Sequence, residues 1–507
     1  MTRLSCQMGI LLLAGLAFGV FAQPADTTGR VVSVQGERAR IAINRIGGLP
    51  VLFRTCSGVC DSDGSKQINL MSEGSSGGRL QWKMPGNPDA LRRLQLLEYS
   101  AVVEETDEGS TVTLIAEREL DGRLLHHDYR LSRNGHVLEM NLDLPAGVEL
   151  QWVTGADFVP EPLPGFGAWY GDVWPVIVNA DGQQSIEGDP EQEIEILLQT
   201  DEWLGIRNRF WVGLLRPTSG AAAAHVNIST AKRPRLNLSA VESSRLAVTF
   251  YGGPVELESI KAVDPDLTGM LFAALWNWLR ALTFGMLYLL KWIDSGIGNI
   301  GLSIVLLSLA VKVLMWPLTR IAERLQEDVN KTEALLQPQL ADIKRSYKGE
   351  DAHRRTLAVY KEHGVHPLYT LKSLLGFLIQ IPIFIAAFDM LGESFALNQA
   401  SFLWIENLAA PDRWLPLPVN LPFFGAHLNL LPVLMTGFTV LASRSQTDPA
   451  LTPELLRRQR LRLYLMAGAF FLLFYTFPAG MVLYWTTNNV IHLAKIQLEK
   501  RVFQAED

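Results

Sequence analysis

Cysteine is nearly absent: the 507-residue chain has three, with Cys56 and Cys60 in a TCSGVC stretch and Cys6 close to the start. A CxxxC pair with no histidine or second pair nearby does not make a zinc site. It leaves a small-loop disulfide or two free thiols, and spacing does not choose between them. A basic excess is missing too. The 45 Lys and Arg against 52 Asp and Glu give a formal net charge of -7, which argues against nucleic acid as the main partner. No repeat stands at the fixed periods of solenoids or propellers. In the apolar second half no acid lies deep in a hydrophobic run, Asp389 being near one end, so a relay of paired charges is excluded.

What is present is uneven. The first half reads as exported β protein, the second as membrane protein. Residues 1–22 have the form of a signal peptide or short anchor: Arg3, an apolar run from Met8 to Ala22, then Gln23. Residues 30–257 follow as a β-sandwich domain. Thr111–Glu119, Arg123–Arg133 and His136–Leu144 are strand-like runs separated by Asp121-Gly122 and Asn134-Gly135, both strong two-residue hairpin signals. His126 and His127 fall mid-strand, so alternation sends them to opposite faces and they cannot share a metal as neighbours. Asp157 and Glu161 border an aromatic loop able to stack on a sugar or peptide, but no paired acid and base accompanies them.

Residues 268–296 mix apolar residues with Trp276, Trp278, Trp292, Arg280 and Lys291, the composition of an amphipathic helix lying in a membrane interface. Residues 298–501 then read as a five-span bundle. The spans are Gly301–Arg320, Pro367–Leu391, Leu428–Ser443, Leu463–Phe477 and Met481–Ile496, with a charged helical hairpin at 321–366. Arginine and lysine crowd that hairpin, the 444–462 loop and the tail, whereas 392–427 holds Arg413 alone. The positive-inside rule therefore makes the hairpin cytoplasmic and the β domain external.

Polar groups at membrane depth are few: Lys312, Gln380, and the run Thr486, Thr487, Asn488, Asn489. Position alone leaves Lys312 either lining a wet cavity or snorkelling to the head groups. Singly, the others read as helix-to-helix glue. Together with a lysine they favour a hydrated groove open to the cytoplasm, attractive to acidic or polar peptide segments.

These stretches resemble the YidC-type membrane protein insertases. The resemblance is carried by GNIGLSIVLLSLAVKVLMWPLTR (Gly298–Arg320), LLQPQLADIKRSY (Leu335–Tyr347), HPLYTLKSLLGFLIQIPIF (His366–Phe384), FLWIENLAAPD (Phe402–Asp412) and FPAGMVLYWTTNNV (Phe477–Val490). It implies a periplasmic β-supersandwich, a five-helix core with a positively charged groove, and insertion and folding of nascent inner-membrane proteins. No catalysis, nucleotide, metal or other cofactor is implied. The implied partners are nascent membrane proteins and the lipid bilayer, with the Sec translocon and ribosome as further contacts. Lysine at 312 departs from the family's usual arginine, Tyr369-Thr370-Leu371-Lys372 from its small-residue stretch, and the ending QAED from a basic tail suited to ribosome docking. A diverged paralogue fits these departures. The competing reading is a membrane-anchored carbohydrate-binding or carbohydrate-active protein whose working part is the β domain.

Overall fold

The computed structural model describes residues 29–62, 65–72, 78–189, 192–228, 233–241, 244–366, 368–369, 374–445 and 453–506. The leader at 1–22 and most of the Tyr369–Lys372 departure lie outside them. A large β domain comes first and a helical region follows.

The β domain holds antiparallel sheets of four, five and nine strands. In the widest, Gly109–Ala116, His126–Ser132 and Val137–Asp143 pair in sequence order, as the hairpin signals predict. At the first turn Asp121 and Gly122 both have left-handed φ, 52° and 79°, which the tight turn demands. The sheets face one another across one core. Phe250 of the nine-stranded sheet meets Phe53 of the four-stranded sheet edge-on at 5.2 Å, and Trp152 of the five-stranded sheet at 5.5 Å. Alternation holds at the histidines: His126 is half-buried and His127 fully buried. Cys56 and Cys60 are joined in a disulfide. Strands such as Glu149–Val153 and Trp203–Arg207 carry little alternation in sequence, since both of their faces are largely buried.

Two buried imidazoles stiffen this core. His127 Nε2 lies 3.0 Å from the Tyr99 hydroxyl, and His136 Nδ1 lies 2.9 Å from Thr55 Oγ1. Gly48, at φ +70°, lets the chain pass beside them, because a Cβ there would meet the His127 ring at 2.8 Å.

The helical region comprises α1 (Asn277–Ile297), α2 (Ile300–Leu314), α3 (Trp316–Ser346), α4 (Gly349–Glu362), α5 (Leu374–Glu393), α6 (Leu430–Ser445), α7 (Pro453–Phe474) and α8 (Ala479–Glu506). The stretch Gly301–Arg320, read from sequence as one span, is broken. The chain bends 59° between α2 and α3 at Met315, where Pro317 opens the new helix without an N–H to continue the old one. Among the described residues no single helix is long and apolar enough to cross a membrane; α2 and α3 pass that test only as a bent pair, and α6 is a shorter apolar helix. Helices α3 and α4 form a hairpin with its own small core of Val329, Leu336, Val359 and Tyr369, while Leu335 and Leu357 turn outward. The connection after α5 contains a ribbon of Leu415–Leu421 against Gly425–Leu428. Its prolines, 416 and 418, disguise it as non-strand.

The two halves are fastened by cations. Asn208 shapes the turn that presents Arg209, accepting from the backbone N–H groups of Phe210 and Trp211 and donating to the Phe158 carbonyl. Arg209, 5% exposed, donates through Nε to the Gly392 carbonyl and through Nη1 to the Ala409 carbonyl at 2.7 Å. Its guanidinium lies between the rings of Tyr170 and Phe210, 4.4 and 4.5 Å from their centroids. Burial pushes its pKa down to about 10, opposed by neighbouring Tyr170 and Glu393, so the charge survives at neutral pH. Lys66 donates to the carbonyls of Phe395 and Ala396 at 3.1 and 2.9 Å. Arg209 therefore sits where α5 ends and its last carbonyls lack helical partners, and Lys66 sits at the short turn just beyond that end.

Acid weakens the β domain, and the sign follows from the histidines. Burial pushes both His127 and His136 from 6.5 down to about 4, helped at His136 by Arg38 and opposed at His127 by Asp143. Between those values the unfolded chain takes up protons that the folded domain refuses, so this stability is full above about pH 6.5 and falls towards pH 4. Each histidine contributes roughly 1.4 kcal/mol per pH unit across that window. Urea unfolding followed by tryptophan fluorescence at pH 7 and 4.5 should show the drop. The double variant His127→Gln/His136→Gln should flatten it, and an unchanged pH slope in that variant would refute the assignment.

Candidate functional site

The polar residues singled out in sequence come from three helices, and the packing brings these helices together. Helix α8 lies against α2, α5 and α6, so it is the shared wall. Asn299 caps α2, its side chain accepting from Leu302 N at 3.0 Å. Lys312 occupies the last turn of that helix, a position favourable for a cation facing the helix dipole. Its Nζ donates to the Asn488 carbonyl on α8 at 3.1 Å. One turn earlier, Ser308 donates to the Tyr484 carbonyl at 3.3 Å. Two side chains of α2 thus dock on carbonyls of α8 one turn apart.

The four-residue run on α8 separates into different tasks. Thr486 and Thr487 turn their hydroxyls back on the Val482 and Leu483 carbonyls of their own helix, at 2.7 and 2.8 Å. Asn488 Nδ2 does the same with the Tyr484 carbonyl at 3.1 Å, leaving its own carbonyl for Lys312. Asn489 faces the other way, donating to the Met435 carbonyl at 3.1 Å and to Thr439 Oγ1 at 2.8 Å on α6. Asn489 thus bonds across to α6, the behaviour of inter-helical glue.

Gln380 reaches the same level by a different wall. On antiparallel α5 and α8, Phe388 meets Phe477 and Phe384 meets Trp485, with centroids 5.4 and 4.7 Å apart. One turn further, about 6 Å, Gln380 stands level with Asn488 and Asn489, and it is exposed. The structure brings Lys312 and Asn488 into contact, holds Thr486 and Thr487 on the same helix turned back on their own carbonyls, leaves Gln380 exposed on α5 one turn from Phe384, and turns Asn489 to α6.

Sequence reading missed the charges that flank this cluster. Glu323 of α3 receives Lys495 of α8 at 2.5 Å, and both are electrostatic neighbours of Lys312. These three groups sum to one net positive charge. Their signal was hidden because Glu323 belongs to the polar hairpin and Lys495 to the tail. A cavity of about 410 Å3 lies elsewhere, at the seam around Arg54, Asp157, Arg209, Trp211 and Asn407. It is distant in sequence from every member of the cluster and shares no residue with it.

A β-rich domain docked on a helical core, with one lysine seated among helix carbonyls and amides, defines a two-part protein whose polar chemistry lies inside the helices. The family model described as 60Kd inner membrane protein matches residues 292–506. Over that helical part the chain is similar to the YidC-type proteins. Membrane protein insertase YidC of Syntrophobacter fumaroxidans is 30% identical over 306 residues, covering 58% of this chain and 52% of the relative. That of Pelobacter propionicus is 28% identical over 306 residues, covering 58% and 53%. The chain therefore spans about half the length of the curated relatives it matches. A crystal structure of active YidC insertase with its first transmembrane domain resolved aligns over 93% of both chains at 18% identity and TM-score 0.36. YidC from Thermotoga maritima aligns over 93% of this chain and 98% of its own at 14% identity and TM-score 0.31.

The division of labour on α8 is testable by stability. Asn489→Leu removes both hydrogen bonds from α8 to α6, while Thr439 Oγ1 keeps its own bond to the Met435 carbonyl, so it should cost about 1 kcal/mol, within the range for inter-helical hydrogen bonds in lipid. Thr487→Val removes only a bond within its own helix and should change stability by less than about 0.5 kcal/mol. Reversible unfolding in mixed micelles measures both. Equal losses would contradict the assignment.

Proposed function

We propose that this protein is a membrane protein insertase and chaperone of the bacterial inner membrane. Lys312, Gln380, Thr486, Thr487 and Asn488 line a polar groove open to the cytoplasm, and Asn489 braces its wall against α6. The observation that carries the reading is the Lys312 ammonium set between α2 and α8 with one bond to a backbone carbonyl. An ammonium has three donors, so two remain for water or an acidic segment of a client. The Glu323–Lys495 pair closes the same end and leaves the cluster net positive. Attraction of an acidic or polar segment into this groove lowers the cost of moving it across lipid, while the client's apolar stretch slides out sideways.

In this reading α1 lies in the membrane interface, with Trp278, Tyr288 and Trp292 exposed and Leu279, Thr283, Met286, Leu287 and Leu290 buried. The β domain stands on the periplasmic side, five spans follow it, and the α3–α4 hairpin meets nascent clients in the cytoplasm. The family match over residues 292–506 and the asymmetry of arginine and lysine between loops support this placement. Sec translocon subunits and the ribosome are proposed partners only through the family likeness. The carbohydrate reading has no comparable support: Glu161 is engaged by Arg413 at 2.9 Å, and His127 and His136 are sealed in the core.

Complementation in an insertase-depleted cell tests the groove. The full chain should restore insertion of a small Sec-independent client, Lys312→Arg should retain most of that activity, Lys312→Ala should lose much of it, and Lys312→Glu nearly all. Full rescue by Lys312→Glu, at equal expression, would sink the charged-groove mechanism.

A further inference from the structure

Two uncharged pieces of chain meet at the outer ends of the helices. Residues 414–443, thirty in a row, contain no Asp, Glu, Lys or Arg, and neither do residues 162–171 of the β domain. The first piece contains the Leu415–Leu421/Gly425–Leu428 ribbon and runs directly into α6. The second contains the tight turn Gly165–Gly171. They are locked together and to the helices. Phe166 meets Phe423 edge-on at 5.2 Å, and Gly167 N donates at 3.1 Å to Thr476 Oγ1 between α7 and α8. Gly165, at φ +55°, permits the approach, because a Cβ there would lie 2.7 Å from the Phe423 carbonyl oxygen.

This junction nevertheless leaves its large side chains uncovered. Trp169 is 65% and Val419 62% exposed, and Phe166, Trp414, Leu421 and Phe423 are exposed beside them. Nearly every residue of Leu415–Leu421 is exposed, so the ribbon shows apolar groups on both faces. An isolated two-stranded ribbon is marginal in water, and an uncharged aromatic patch of this kind marks a contact surface. Pro416 and Pro418 deprive the exposed strand of N–H donors, which disfavours a protein partner that adds a strand. Tryptophan and phenylalanine without charge are instead what the headgroup boundary accepts. The apolar surface also continues onto α6 through exposed Val433.

We infer that this patch is a lipid contact: the Gly165–Gly171 turn and the ribbon rest together in the outer headgroup layer and seat the β domain on the bilayer. The inference rests on the membrane placement proposed above.

The test uses the full chain in a Cys6→Ser background, with the Cys56–Cys60 disulfide intact, reconstituted in phosphatidylcholine/phosphatidylglycerol vesicles. Environment-sensitive NBD is attached at Trp169→Cys or Val419→Cys. Val102→Cys, on an exposed strand of the β domain, and Leu441→Cys, on the apolar surface of α6, serve as references. Headgroup nitroxide lipids should remove most of the emission at 169 and 419 but not at 102, and acyl-chain nitroxides should quench 441. If 169 and 419 stay as bright as 102 while 441 is quenched, the lipid contact is refuted and the membrane placement stands. If 441 also escapes, the placement falls and the contact with it. Probes at 169 and 419 that are shielded from iodide yet untouched by lipid nitroxides would assign the patch to a protein and overturn the inference.

Discussion

An ammonium group among apolar helices has to be solvated by something, and much of the helical half is arranged around that requirement. Lys312 can reach the Asn488 carbonyl only because α2 and α8 pack directly, with Ser308 making the same kind of contact one turn earlier. The bend at Met315 then turns α3 away from that line, so Lys312 ends a helix instead of lying in the middle of one. A helix C-terminus is where a cation is least costly. The same bend lets Glu323 come back to Lys495. Without the break, a straight helix about 16 Å further along would carry Glu323 well past Lys312.

The β domain obeys the same electrostatic logic on the opposite side. A helix ends with carbonyls that lack partners, and α5 ends against the β domain. Arg209 supplies a donor at Gly392, in the last turn of α5, and Lys66 adds one at each of the Phe395 and Ala396 carbonyls in the short turn beyond it. Burying a guanidinium is costly unless its donors are used and its faces are covered; Nε and Nη1 of Arg209 hold carbonyls, the rings of Tyr170 and Phe210 pack against the group, and Nη2 is buried without a hydrogen bond. The helix that carries Gln380 is thereby gripped at its far end by the β domain. The position of α5 is consequently shared between a sheet and a helix bundle.

Legibility in the sequence followed the range of the interaction involved. The Asp121-Gly122 turn and the opposite fates of His126 and His127 are local matters, set by φ and by alternation, and they could be read directly. Lys312 was conspicuous because its surroundings are apolar. The division within Thr486 to Asn489 was invisible, since four adjacent polar residues on a helix point in four directions and only the neighbouring helices decide which bonds they make. Arg209 gave no signal at all: its partners are carbonyls almost 200 residues away, and carbonyls carry no residue identity. The Met315 bend was hidden inside one continuous apolar run, although Pro317 was in plain view. Prolines are tolerated in the first turn of a helix, so a proline in such a run permits a break without demanding one.

Lysine at 312, where the resembling family usually carries arginine, acquires a physical meaning from this geometry. A guanidinium presents five donors in a fixed plane and would bracket a carboxylate or two carbonyls at once. The ammonium of Lys312 commits one donor to Asn488 and keeps two that can rotate. Under the proposed function, its grip on an acidic client segment is then less directional and more dependent on water. Gln380, exposed at the same level on the facing helix, adds both a donor and an acceptor. Under the proposed insertase function, such a groove trades the planar fork for a wetter, more yielding wall and selects clients by charge more than by the shape of the carboxylate.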